Sequence, residues 1–126
     1  MIHDITPCPK PRMTRADRWK KRPAVVRFFA FRDAVKQELE VLFALQNNTI
    51  IDFRSIEICF NIPMPKSWSK KKRKLYEGTP HEQRPDLDNF IKAWNDCILD
   101  EDSSVWRIHA TKLWTSSSGY IIVKEI

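Results

Sequence analysis

The sequence predicts an α+β fold: one domain over residues 1–126, with a small mixed β-sheet packed against two main helices, in the order β-α-β-(α)-α-β-β. Three observations predict it. Two stretches, 24–45 and 88–99, repeat apolar side chains at three- and four-residue steps. Three others, 49–62, 105–114 and 120–126, have the alternation and the β-branched or aromatic content of strands. The chain is 126 residues long, which suits one core of modest size.

Residues 1–6 are a short first strand that ends at Pro7. Residues 7–23, PCPKPRMTRADRWKKRP, are rich in proline, lysine and arginine and read as an extended basic arm. In the helix at 24–45 the stripe is Phe28, Phe31, Val35, Leu39 and Leu42, widened by Phe29, Ala30 and Phe43, with a stop at Gln46, Asn47 and Asn48. In the strand at 49–62, Ile56, Ile58, Phe60 and Ile62 share the apolar face. Ser67 is the expected cap of a short basic helix, and 77–85 is a loop by its Gly, Pro and polar content. The second main helix is expected from Asp88 to Leu99, capped by Asp88, with Leu87, Phe90, Ile91, Trp94 and Ile98 as its apolar stripe. A turn, DEDSS, leads to the last two strands, joined by TSSSG, where Gly119 is free to take positive φ.

Composition narrows the function. The formal charge is +6, so an acidic partner is expected, nucleic acid first. Gly78 and Gly119 are the only glycines, and no glycine-rich phosphate loop can be built from them. Apolar runs fall far short of the roughly 18 residues that span a bilayer, so no spanning segment is expected, an anionic membrane surface ranks behind nucleic acid and is not taken as the partner, and the first residues lack a signal-peptide pattern. Cys8, Cys59 and Cys97 form no CxxC pair and read as reduced thiols in an intracellular protein.

Against this basic background, RPDLDNFIKAWNDCILDEDSSV at 84–105 gathers six carboxylates: Asp86, Asp88, Asp96, Asp100, Glu101 and Asp102. Asp86 and Asp88 are two apart in a capping segment and can face one way. Helix cap and solvated turn are the plain readings of such acids. Clustering them, however, raises their proton affinity unless a cation compensates. Oxygen donors without His or Cys suit Mg²⁺ or Mn²⁺. In a basic chain such a site points to a phosphodiester, with metal to activate water and stabilise the leaving oxygen.

PDLDNFIKAWND followed by DEDSSV closely resembles the RusA-type Holliday-junction resolvases, phage-like members included, and MPKSWSKKKR and PKPRMT also resemble phage-type members. The resemblance covers most of the chain. It implies a homodimeric, Mg²⁺-dependent endodeoxyribonuclease, with Mn²⁺ as a possible substitute. Its substrate would be four-way DNA junctions, resolved by paired symmetric nicks. The setting would be recombination, repair or phage DNA processing, in the cytoplasm of a bacterial or phage-infected cell. Asp86, Asp88 and Asp102 match the family's catalytic metal-binding aspartates, and Lys92 matches its functional lysine. The spacing from Asp96 to Asp102 is shorter than in members with a glycine-containing linker, so Asp100 and Glu101 stay beside Asp102 as the acid that completes the site. Lys92 either serves the phosphate or pairs with Asp88 and Asp96 at four-residue steps. Asn89 and Asp96 support the site or form only a polar face.

Two basic segments are candidate DNA surfaces: Arg12, Arg15, Lys20, Lys21 and Arg22 in the arm, and Lys66, Trp68, Lys70, Lys71, Lys72 and Arg73 downstream. Trp68 either stacks on an unpaired base or anchors its own loop. His81 reads as a surface residue, His3 and His109 show no partner, and Trp19, Trp94, Trp106 and Trp114 read as core or interface. The competing classes are a non-catalytic DNA-binding module and a nuclease that acts mainly on forks or flaps.

Overall fold

The structure, a computed structural model, describes residues 2–12, 22–45, 52–99 and 102–126, without the side chains of Ile2 and Asp102. The expectations for Arg15, Trp19, Lys20, Lys21, the stop at 46–48, the first residues of the 49–62 strand, Asp100 and Glu101 lie outside the described residues.

Strand β1 (Ile2–His3) is followed by helix α1 (Pro23–Leu45), strand β2 (Ser55–Pro63), helices α2 (Lys70–Tyr76) and α3 (Leu87–Ile98), and strands β3 (Arg107–Thr115) and β4 (Tyr120–Glu125). A short 3-10 turn at Asp102–Ser104 precedes β3. The sheet order is β1-β4-β2-β3, with β2 and β3 parallel and the other pairs antiparallel. The predicted α+β class and element order stand. Parallel neighbours need a crossover, and α2 with α3 provide it.

Register explains the core. Ile56, Ile58 and Phe60 of β2 lie beside Val123 and Ile121 of β4 and beside Ile108 and Ala110 of β3. This row packs with Phe28, Phe31 and Val35 of α1 and with Phe90, Ala93, Trp94 and Cys97 of α3 in one hydrophobic cluster. Pro23 opens α1, where its missing N–H would have had no partner anyway. Val25 is buried there too, whereas Phe29, Ala30 and Phe43 are exposed and do not widen the buried face. They fall about 60–200° around the helix from the Phe28 stripe. Among the described residues no helix is long and apolar enough to cross a membrane.

Local capping corrects two helix starts. Ser69, not Ser67, caps α2, its Oγ accepting the N–H of Lys72 at 3.2 Å. Ser67 is inside the turn closed by Trp68 N–H on the Pro65 carbonyl. Asp86, not Asp88, holds the cap position of α3, so Asp88 stands in the first turn.

The outer edge of β3 is not left open. Gly78 N–H donates to the Trp114 carbonyl, Trp114 N–H to Thr79, and His81 N–H to Lys112, so the 78–81 segment covers the edge. This covering buries His81, against the expectation of a surface residue, and sets its ring 4.2 Å from that of Trp114. Trp106 is the reverse case. It precedes β3, is 69% exposed, and lies under the Arg107 guanidinium at 4.8 Å. His3 does have a partner: its Nδ1 lies 2.6 Å from Glu38 Oε1.

Gly119 ends the β3–β4 connection at φ 103°. A Cβ there would meet the Cδ atoms of Pro7 and Pro63 at 3.1 Å and the Asn61 carbonyl at 3.2 Å. Gly119→Ala is expected to lower stability by about 1–3 kcal/mol, through positive φ and crowding together. Equilibrium denaturation in urea checks this.

Candidate active site

Helix α3 places the acidic residues. Phe90, Ala93, Trp94 and Cys97 bury one side, while Asp88 and Lys92 stand exposed on the other. Phe60 lies 5.5 Å from Phe90 ring to ring, and Trp94 contacts the rings of His3 and Phe53, so the helix is held along its length. Burial and the neighbouring Asp96 carboxylate push the Cys97 thiol up to about 12. Burial likewise raises Cys8. Both are protonated thiols at neutral pH, and all three cysteines are free.

Asp86 has the backbone of a cap residue, with φ −65° and ψ 152°, but its carboxylate makes no cap hydrogen bond. It is exposed, as is Asp88. Neither makes a side-chain hydrogen bond or ion pair among the described residues. Both therefore present uncommitted oxygen donors at the positive end of a helix. That donor set fits a hard divalent cation. Among the described residues no group of three or more His, Cys, Asp or Glu side chains gathers for a metal. Asp102 belongs to the 3-10 turn between α3 and β3, and its side chain is outside the described set.

The polar stripe of α3 is shared differently from the four-residue pairing that its spacing allowed. Asp96 pairs with Lys10, whose N–H also donates to the Asn89 carbonyl at 3.1 Å. Lys92 has no carboxylate partner among the described residues and stays exposed. The first part of the basic arm thus runs along the flank of α3, and Arg12 follows it, exposed, its carbonyl accepting from Arg22 Nη2 at 2.5 Å. Asp96 is committed to holding the arm. Sequence reasoning passed over Lys10, because nothing local ties residue 10 to residue 96.

The second basic segment divides into two kinds of cation. Lys66, Lys70, Lys71 and Lys74 are exposed, and no acidic residue pairs with them among the described residues. Arg73 is committed inward, donating from Nε to the Trp68 carbonyl at 3.2 Å and from Nη2 to the Pro65 carbonyl at 2.9 Å. Lys72 lies 4.2 Å over the Trp68 ring. Trp68 itself packs on Trp114 at 4.8 Å and Tyr76 at 5.2 Å, so it anchors its own loop. Lys70, Arg73, Lys74, Glu77 and Ser116 line an open groove of 490 Å³ between α2 and the β3–β4 connection. Glu77 closes that side, accepting from Ser116 N–H at 2.6 Å and Thr115 Oγ1 at 3.3 Å.

Between α2 and Asp86 lies His81. Burial first, and the Lys112 charge second, hold its imidazole below the ordinary value. Its Nδ1 is buried without a hydrogen-bond partner among the described residues. The unfolded chain takes up a proton at the ordinary imidazole pKa, while the folded chain resists it to lower pH. The stability from neutral His81 is therefore complete above the ordinary value and is lost as pH falls from there toward the folded pKa. Thermal unfolding of the wild type and His81→Gln across mildly acidic pH checks this, with a shallower loss expected in the variant.

The fold is a sheet backed by two helices, with exposed aspartates at the start of α3 and exposed lysines at α2. The family model described as endodeoxyribonuclease RusA matches residues 4–124. The chain belongs to the RusA endodeoxyribonuclease family. No curated protein and no solved structure matches it.

Proposed function

We propose that the protein is a divalent-metal-dependent endodeoxyribonuclease that resolves four-way DNA junctions by paired symmetric nicks, working as a homodimer in the cytoplasm of a bacterial or phage-infected cell. The observation that carries this reading is the pair Asp86 and Asp88, exposed and uncommitted at the start of a helix whose other face is buried. Asp86 and Asp88, with Asp102 as the third acid, would hold Mg²⁺, or Mn²⁺ in its place. When bound, the cation supplies charge neutralisation at the phosphate and eases deprotonation of water. Lys92, one turn along the exposed side from Asp88, is assigned to the charge that develops on the phosphate. The exposed apolar side chains of α1, Val26, Phe29, Val41, Phe43 and Leu45, support a subunit interface there.

Lys66, Lys70 and Lys71 are assigned to DNA phosphates, together with the arm residues Arg12, Arg15, Lys20, Lys21 and Arg22. Trp68, Lys72 and Arg73 are assigned to the shape of that surface. Lys70→Glu with Lys71→Glu is expected to weaken junction binding and reduce the slope of log affinity against log salt by about 2. Arg73→Ala should instead lower thermal stability and leave that slope nearly unchanged. Fluorescence anisotropy over a salt series separates the two.

The functional test incubates the purified protein with a synthetic four-way junction, a fork and a plain duplex in Mg²⁺. Paired nicks in junction strands of like polarity are expected. Junction binding without cleavage in either Mg²⁺ or Mn²⁺ would mark a binding module, and preferential cutting of the fork would move the substrate class.

A further inference from the structure

Along β3, the side chains in register with Ile56, Ile58, Phe60 and Ile62 are Ile108, Ala110, Lys112 and Trp114. This is the helix-covered row of the sheet, and among the described residues Lys112 is the one lysine or arginine in it. An ammonium in such a row needs acceptors. Lys112 finds them in backbone, not in a carboxylate: Nζ donates to the Gln83 carbonyl at 2.6 Å and to the Pro85 carbonyl at 2.8 Å. Its own carbonyl accepts the His81 N–H at 3.0 Å. Three hydrogen bonds from one residue therefore hold the 81–85 segment. The next residue is Asp86, whose carbonyl accepts from Asn89 N–H at 3.1 Å to open α3 while its carboxylate remains uncommitted.

We propose that Lys112 is a positioning residue of the acidic site: it pins the Gln83–Pro85 backbone so that Asp86 presents its carboxylate at one place at the start of α3. This rests on the reading of Asp86 as a metal ligand. The segment before Asp86 is polar, exposed at Gln83 and Arg84, and makes no other hydrogen bond to the sheet beyond His81 among the described residues. Without the Lys112 ammonium, two carbonyls that face the sheet lose their donor, and Asp86 joins α3 through a loosened chain. Supporting groups of this kind tune metal affinity although they never touch the metal.

The test compares wild type, Lys112→Met, Lys112→Gln and Asp86→Asn. Backbone ¹⁵N order parameters at residues 82–84 and 86 are measured in the metal-free protein, Mn²⁺ affinity by titration, and folding by thermal unfolding. Lys112→Met is expected to lower the order parameters at 82–84 and 86 selectively and to weaken Mn²⁺ binding roughly tenfold, with far-UV dichroism unchanged. Lys112→Gln, which keeps two N–H donors, should lie between Met and wild type in both readouts, and it decides the matter if the Met variant does not fold. Wild-type order parameters and wild-type Mn²⁺ affinity in the folded Lys112 variant overturn the inference. If Asp86→Asn loses Mn²⁺ while the Lys112 variant does not, only the inference falls. If Asp86→Asn binds Mn²⁺ as wild type does, the reading of the acidic site itself falls.

Discussion

Asp86→Asn is expected to reduce junction cleavage roughly a thousandfold or more while leaving the fold and junction binding intact. The substitution keeps shape and removes charge. Asp86 makes no cap hydrogen bond, so no helix-stabilising contact is lost with it. Its side chain is exposed, so no cavity or buried orphan results. A loss of cleavage in this variant thus reports on the site alone. Single-turnover cleavage of a labelled junction, set beside junction binding in Ca²⁺, measures both quantities. Cleavage at the wild-type rate would remove Asp86 from the catalytic set.

Trp94→Ala is expected to be the most damaging single change to stability. Trp94 is 1% exposed, and its ring lies 5.8 Å from that of His3 and 6.2 Å from that of Phe53. Truncation leaves a large cavity and should cost about 3–5 kcal/mol, a drop of roughly 10–20 °C in the thermal midpoint for a chain of this size. Its indole N–H is buried without a partner among the described residues. Trp94→Phe removes that unsatisfied donor along with part of the ring, so its cost should be a small fraction of the alanine loss. Differential scanning calorimetry of both variants checks the ratio. Equal losses would mean that the indole N–H is satisfied in solution.

The parts of this fold that were legible in the sequence are those set by local periodicity. Phe28, Phe31 and Val35 mark the buried side of α1, and Ile56, Ile58 and Phe60 the covered row of β2, because a helix or strand repeats its faces regularly. The same reading picked Trp94 and Phe90 but passed over Ala93 and Cys97, which are small or ambiguous yet fully enclosed. What was not legible depends on partners distant along the chain. Arg73 counts as a surface cation until Pro65 and Trp68 are folded back under it. His81 counts as a loop residue until its segment covers the edge of β3. Phe29 and Phe43 look like core by hydropathy alone, and only the direction of α1 against the sheet leaves them outside.

The acidic site divides in the same way. PDLDN announced two neighbouring aspartates at a helix start, and both stand there, with the cap at Asp86, two residues before the expected Asp88. Four-residue spacing offered Lys92 to Asp88 and Asp96, but Lys10, 86 residues away from Asp96, takes the latter. Lys112 left a trace that could have been followed. A strand that reads Ile, Ala, Lys, Trp on one face carries one charge too many for a covered row, unless a tertiary partner awaits it.

The central claim is that Asp86 and Asp88 bind a divalent cation at the start of α3. Paramagnetic broadening of backbone amide resonances by substoichiometric Mn²⁺ tests it most directly. The account predicts broadening centred on the amides of residues 86–89 and extending to the neighbouring backbone of Lys112. Broadening centred elsewhere, or unchanged in the Asp86→Asn, Asp88→Asn double variant, would contradict it.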